Sequence, residues 1–380
     1  MYITADSSRI ESTFLRFGSE GFRYFYGFDC GYSFADMLAE EMPHRSSFLL
    51  LIDSGVVPHA EKLISSFTGG PNIHSIIVDS RERHKGLPLV EKIMNEAVSA
   101  GITRNSAVLA MGGGVLGNIA GMVAALMYRG LPLVHLPTTP VSAFDSVLSA
   151  KQAVNLTHGK NLCGTFLTPS LVACDLAWLE TVPRDQMLTG VAEMAKNVLC
   201  VTPRETERFL ESVTQIERDP QSSLRALLEI GISAKAPFLE IDPKEKEEAL
   251  VFEYGHTVGH AIEFASQGCI THGEAVGWGM LAAAEVAAQL YGLSQSAVDL
   301  HHKLVDALGL DRGRLSSLSG SSVKSFLRKD NKRGYINTSD DSVAMVLLDS
   351  LGNPVKHNNR PLVSVPSSVV DSAIDSLLGE

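Results

Sequence analysis

Cysteine is scarce and scattered in this chain of 380 residues: Cys30, Cys163, Cys174, Cys200 and Cys269, with no C-x-x-C pair among them. An odd, dispersed set of this kind builds neither a disulfide framework nor a thiolate metal site. Runs of Lys and Arg are missing, and the formal net charge of −11 argues against a nucleic-acid partner. Long apolar runs are missing too, since stretches such as Ile119 to Tyr128 are too short to cross a bilayer. Met1 to Glu20 has no basic start followed by an apolar core, so no signal peptide is expected. The expectation is a cytoplasmic protein with reduced thiols. What is present is ordinary for a globular enzyme: 45% apolar and 20% charged residues, and length enough for two domains.

After an irregular, aromatic-rich start, the first half alternates strands and helices. Strands are expected at Ser47 to Ile52, His74 to Val78 and Ala107 to Met111, and helices at Pro58 to Phe67 and Leu89 to Ala100. Such alternation predicts a mostly parallel sheet with helices on both faces. Gly112-Gly113-Gly114-Val115-Leu116-Gly117-Asn118 then joins a strand to the helix Ile119 to Tyr128. Glycines there permit a tight turn and close backbone approach to a pyrophosphate; a turn used only for helix–sheet packing has the same pattern. No acid for a ribose follows at the usual distance, and the candidate acids, Asp53 and Glu82, stand upstream at strand ends. Ser142 to Asn161 is dense in mixed polar groups, suited to a cleft lining or to a plain loop.

From Arg184 to about Lys329 the pattern is helical, and a hairpin-like Ser342 to Val355 and a terminal helix from Ser367 close the chain. Glu193 and Lys196 share one helix face. Lys235 falls in the middle of the apolar face formed by Leu224, Leu227, Leu228 and Gly231. A lysine there either has an anion partner or a function, or snorkels to the surface. His256, His260 and Glu263 fall at i, i+4 and i+7, on one face of a helix. His272 follows, where Thr271 and Glu274 form a capping-box pattern ahead of an apolar run. Two helices can bring His256 and His272 together in search of a carboxylate, as in a catalytic zinc-like site; the plainer reading is histidines that cap and pack helices.

The glycine loop, Glu193-x-x-Lys196, Gly255-His-Thr-x-Gly-His260 and His272-Gly-Glu together resemble the sugar phosphate cyclases, the family of 3-dehydroquinate synthase, over residues 53 to about 335. The resemblance implies a Rossmann-like α/β NAD-binding domain with a mostly parallel sheet at 1–180, and a mainly α-helical metal-binding domain at 181–380. It implies a homodimer that uses NAD and a divalent metal, zinc or cobalt. The implied metal ligands are Glu193, His256 and His272. The implied NAD contacts are Asp53, Glu82, Lys85, Gly113, Gly114, Thr138, Thr139, Lys160 and Thr181. The implied substrate contacts are Arg129 (from the neighbouring subunit), Asp145, Asn161, Lys235 and Lys332, and the implied catalytic groups are Lys151, Lys196, Glu253 and His260.

Two departures bear on the substrate. Dehydroquinate synthases have an arginine seven residues, and an asparagine three residues, before the first histidine; here these are Ala249 and Glu253. Losing a cation and gaining an acid repels a carboxylated substrate. Lys151-Gln-Ala-Val-Asn-Leu, Phe252-Glu-Tyr-Gly-His and Asp330-Asn-Lys-Arg-Gly-Tyr-Ile look like the branch of the family that cyclises D-glucose 6-phosphate. The alternatives are a cyclase of another sugar phosphate, a metal-dependent alcohol dehydrogenase with net cofactor reduction, and a non-catalytic partner protein.

Overall fold

The computed structural model describes residues 10–67, 72–327, 335–336, 339 and 341–379. They form two compact units: Met1–Val182 with Leu239–Lys244, and Pro183–Phe238 with Glu245–Glu380.

The first unit begins with an antiparallel hairpin, β1 (Glu11–Phe17) and β2 (Glu20–Gly27), followed by α1 (Phe34–Glu41). The alternating strands and helices come next: β3 (Ser47–Asp53), α2 (Val57–Ser66), β4 (Asn72–Val78), α3 (Leu87–Ser99), β5 (Ser106–Gly112), α4 (Gly114–Leu126) and β6 (Leu133–Pro137). A second hairpin, β7 (Lys151–Leu156) and β8 (Gly159–Phe166), precedes β9 (Leu171–Asp175). The main sheet has seven strands in the order β1-β2-β9-β6-β5-β3-β4, parallel except for the β1–β2 pair. Its central strands are apolar without interruption because both faces are covered. Leu49 and Leu51 of β3 pack with Val108 and Ala110 of β5 beneath α3 and α4, whereas Phe48, Leu50, Ile52, Leu109 and Met111 face α1 and α2.

Three expectations need correction. The aromatic-rich start is not irregular: Leu15, Phe17, Phe22, Tyr24 and Tyr26 alternate inward as strand residues. Ser142 to Asn161 is no plain loop: a π-helical turn, Ser142–Ser146, leads into the β7–β8 hairpin. α4 also starts earlier than expected, inside the glycine loop itself. The helix lies so close to β7 that a Cβ at Gly121 would meet the Gln152 side chain at 2.1 Å. Asn118 ties the two together, its amide donating to Gly114 O (2.8 Å) and accepting from the Ala153 N–H (2.8 Å). Leu239–Lys244 pack on this unit through Pro243, 3.3 Å from where a Gly18 Cβ would sit, and through the Arg16–Glu240 pair at 3.6 Å.

The second unit is helical: α5 (Arg184–Cys200), α6 (Thr206–Gln215), α7 (Pro220–Ile241, its last residues in the first unit), α8 (His256–Ala265), α9 (His272–Tyr291), α10 (Gln295–Ala307), α11 (Arg312–Leu315) and α12 (Gly320–Leu327). The expected hairpin is a more open arrangement. β10 (Ser342–Met345) pairs with β13 (Val363–Pro366), and only β11 (Leu348–Ser350) and β12 (Asn353–Pro354) form a local pair, before α13 (Ser367–Leu378).

Glycine sets the distances between the helices at the centre of this unit. A Cβ on Gly279 of α9 would lie 2.0 Å from the Gly255 carbonyl oxygen, and one on Gly259 of α8 would lie 3.0 Å from Ala275 O. At the start of α9, a Cβ on Gly273 would lie 2.3 Å from Thr189 Cα on α5. Backbone, not flexible side chain, occupies the space in each case. Gly279→Ala is therefore expected to destabilise the protein by about 3 kcal/mol, since overpacking of this kind forces backbone to shift. Gly292→Ala, with φ +72° but nothing within 4 Å, should cost only about 1–2 kcal/mol of backbone strain. Chemical denaturation of the two variants side by side checks the order; equal losses would mean the close crossing is not what α9 needs.

Candidate active site

Two helix starts and one helix interior build the centre of the second unit. Gly255, at φ +76°, ends the preceding turn so that His256 is the first residue of α8. Thr271 and Glu274 form the expected capping box, which fixes His272 as the first residue of α9. Glu193 lies one turn beyond Thr189 on α5, the residue against which Gly273 packs. One ligand atom each from Glu193, His256 and His272 can be chosen so that all lie within 4.8 Å of one another. Glu193 Oε1 is 3.5 Å from His256 Nε2 and 3.4 Å from His272 Nε2.

The orientation of both rings follows from their outer partners. His256 Nδ1 donates to Tyr254 O (3.1 Å) and His272 Nδ1 to the Glu263 carboxylate (2.8 Å). With both Nδ1 atoms so engaged, both Nε2 atoms turn to the carboxylate, the outer-shell arrangement that holds metal-ligating imidazoles. Two imidazoles and a carboxylate fit a divalent cation with positions left for substrate. Burial alone would raise the Glu193 carboxyl, but the Lys196 ammonium and the histidines hold it well below the usual carboxylate range.

Around this centre the unit buries two ammonium groups. Lys196 donates to Glu193 Oε2, and Lys235 is 4% exposed, so its head is turned inward rather than snorkelling. Both lie against the Phe252 ring, Nζ 5.7 Å (Lys196) and 5.3 Å (Lys235) from its centroid. Glu253 follows Phe252 at the end of a short 3-10 helix, and Ala249, at its start, is buried. The His260 ring centroid is 5.3 Å from that of His256 and 5.8 Å from that of His272. Glu193, Lys196, Glu253, His256, His260 and His272 thus stand on these elements, with Lys235, like Lys196, against the Phe252 ring.

In the first unit the expected cofactor contacts collect at the carboxyl ends of the parallel strands, where open α/β sheets bind ligands. Asp53 ends β3, accepting from the Gly55 N–H (2.7 Å) and the Ser80 hydroxyl. Gly113 and Gly114 follow β5; a Cβ on Gly113 would meet Thr139 at 3.2 Å, and one on Gly114 would meet Ser146 at 3.2 Å. Thr138 and Thr139 follow β6, and Thr138 Oγ1 is buried with no hydrogen-bond partner among the described residues. A cradle with little room for a side chain, beside an unsatisfied hydroxyl, fits a polar cofactor such as NAD. Thr181 follows β9 and receives His59 Nε2 at 3.2 Å. Glu82, Lys85, Lys160 and Asn161 form a separate cluster with the β7–β8 hairpin, and burial, partly opposed by Glu82, lowers the Lys85 pKa. Asp145 sits in the π-helical turn and Lys151 opens β7. Arg129 is exposed on a bend where Tyr128, Arg129 and Gly130 all have positive φ. Lys332 lies outside the described residues.

Glu263 was singled out in the sequence only as sharing a helix face with His256 and His260, without the role it has here beside His272. Tyr254 and His301 were not singled out by the sequence. Tyr254 donates its hydroxyl to His301 Nε2 (2.7 Å), because His301 Nδ1 donates to Ala297 O (2.7 Å). Burial depresses the His301 pKa to about 4, which keeps this strut behind His256 uncharged. Nothing in the spacing of residues 254 and 301 announces it.

Residues 75–189 match the 3-dehydroquinate synthase N-terminal family, and 190–333 the 3-dehydroquinate synthase C-terminal family. A 2-deoxy-scyllo-inosose synthase of Streptomyces kanamyceticus is 43% identical over 78% of this chain and 76% of its own length. One from Micromonospora echinospora is 39% identical over 96% and 91%. Among solved structures, a 2-deoxy-scyllo-inosose synthase complexed with carbaglucose-6-phosphate, NAD+ and Co2+ superimposes with a TM-score of 0.89 at 33% identity, covering 96% of this chain and all of that one. The chain belongs to the 3-dehydroquinate synthase family of sugar phosphate cyclases, and its similarity runs to the 2-deoxy-scyllo-inosose synthases.

Proposed function

We propose that this chain converts D-glucose 6-phosphate to 2-deoxy-scyllo-inosose with release of phosphate, as a carbon–oxygen lyase of the cytoplasm that works as a homodimer. The observation that carries the reading is the set Glu193, His256 and His272 beside the buried Lys196 and Lys235, with Ala249 and Glu253 where a carboxylate-binding site has arginine and asparagine. NAD, held by Asp53, Glu82, Lys85, Gly113, Gly114, Thr138, Thr139, Lys160 and Thr181, supplies a transient oxidation at C4 and the return of the same hydride. A zinc or cobalt ion on Glu193, His256 and His272 supplies Lewis acidity toward the substrate hydroxyls.

The chain's own groups do the rest. Oxidation at C4 acidifies the C5–H, so that loss of this proton and departure of phosphate from C6 leave a double bond. Lys151, Lys235, Asn161 and Lys332 hold the phosphate, the three lysines balancing its charge and Asn161 hydrogen-bonding to it. Lys196, His260 and Glu253 orient hydroxyls and carry protons through the elimination, ring opening and aldol closure. Arg129 completes the site of the neighbouring subunit.

His256→Ala or His272→Ala should abolish activity and metal binding while NAD binding, followed by fluorescence titration, persists, because the glycine loop belongs to the other unit. Glu263→Gln should lower metal affinity by about 10- to 100-fold, the usual loss when an outer-shell partner is removed. Full activity after chelation would end the metal reading.

Arg129→Ala and Lys151→Ala should each be inactive, and mixing them should restore part of the activity through hybrid dimers in which one site holds both groups. No recovery, with subunit exchange verified by mass spectrometry, would count against a shared site.

Substrate choice tests Glu253 directly. A substrate carboxylate about 4 Å from Glu253 would be disfavoured by roughly 4 kcal/mol at an effective dielectric near 20, and Ala249 provides no cation to offset it. Glucose 6-phosphate carries no carboxylate, and Glu253 can accept a hydrogen bond from one of its hydroxyls. Phosphate release from glucose 6-phosphate and from the dehydroquinate precursor should therefore differ strongly in favour of the former. Preference for the carboxylated substrate would overturn the proposal.

A further inference from the structure

Asn155, the penultimate residue of β7, engages both ends of its side-chain amide and its backbone N–H. Its Nδ2 donates to Glu82 Oε1 at 2.8 Å, and its Oδ1 accepts from the Asn161 N–H at 2.8 Å. Its backbone N–H donates to Lys85 O at 2.8 Å, within a parallel bridge between Gly86 and Asn155. Lys85 Nζ closes the circuit by donating to Asn161 Oδ1 at 2.6 Å. The amide orientation is unambiguous, because a carboxylate only accepts and a backbone N–H only donates. Asn161 itself, in β8 just past the β7–β8 turn, sits at φ +57°, a left-handed conformation that asparagine adopts more readily than most residues.

We propose that Asn155 is a positioning residue that fastens the ribose-binding carboxylate of Glu82 to the phosphate-binding segment of β8 at Asn161, so that one amide sets both pockets. This rests on the reading of Glu82 as a cofactor contact and Asn161 as a substrate contact. The residue type is decisive. An aspartate keeps the acceptor for the Asn161 N–H but faces the Glu82 carboxylate with a second carboxylate. An alanine loses both bonds, and Glu82 is then free to swing into solvent.

The test measures NAD affinity directly, by fluorescence titration of the full-length protein, beside the KM and kcat for glucose 6-phosphate and the melting temperature. Glu82→Gln is expected to weaken NAD roughly tenfold, the loss of a charged hydrogen bond. Asn155→Ala should weaken NAD by a similar factor and also raise KM for the sugar phosphate. The double variant should bind NAD no worse than Glu82→Gln alone, since the two residues act as one unit. Asn155→Asp should weaken NAD more than Asn155→Ala does, yet leave KM for the sugar phosphate near wild type. A merely structural role would not produce that split, and would show instead as a matched fall in melting temperature and in both affinities. Additive losses in the double variant, or Asn155→Ala binding NAD within twofold of wild type, would overturn the proposal. If Glu82→Gln leaves NAD affinity unchanged, the assignment of Glu82 is wrong and the inference falls with it; that outcome is told apart from the others by this single variant.

Discussion

The distance of closest approach between α5, α8 and α9 governs the centre of the second unit. Glu193, His256 and His272 come from three different helices, and their side chains are short. Helix axes normally stand 8–10 Å apart, held off by the side chains between them. At Gly255, Gly259, Gly273 and Gly279 there is no side chain, and backbone meets backbone. Each ligand then stands at or near such a contact, His256 next to Gly255, His272 next to Gly273, and Glu193 one turn from Thr189. Packing and ligand geometry are one constraint here, so any residue that separates the helices also spreads the donor atoms.

A second constraint is charge. Glu193, Lys196 and Lys235 are all almost fully buried. Isolated, each would cost several kcal/mol of lost hydration. They persist because Lys196 pairs with Glu193 and because the Phe252 ring presents its face to both ammonium groups. An arrangement of this kind exchanges folding stability for a pre-set electrostatic field, which is how catalytic sites stabilise charge that develops during reaction.

The parts of this molecule with a short-range signature were legible in the sequence. The parallel sheet followed from apolar runs separated by helical spacing, and the start of α9 from Thr271 and Glu274. Lys235 was placed on an apolar face by its angle alone, and the structure buries it. The β1–β2 hairpin was misread because its aromatic residues, among them Phe14 at 59% exposure, mask the inward alternation of Leu15 and Phe17. The β7–β8 hairpin was missed because most of its polar residues, Gln152 aside, are exposed or half-exposed, and so are its apolar ones, Val154 aside. Tyr254 with His301 and Asn155 with Glu82 lie beyond any local pattern. Their partners stand 47 and 73 residues away, and only the folded chain brings them together.

Residues 239–244 carry an implication for how such a chain can be recombined. The polypeptide leaves the first unit at Val182, re-enters it for these six residues, and leaves it again at Lys244. The returning segment packs near Gly18 and Arg16, at the turn between β1 and β2. The first unit is therefore discontinuous, and no single crossover in the gene transfers all of it. A chimera joined at position 182 would inherit a sheet from one parent and its covering segment from the other. Exchange between relatives is best made at the level of the whole chain, or with residues 239–244 carried along as part of the sheet-bearing half.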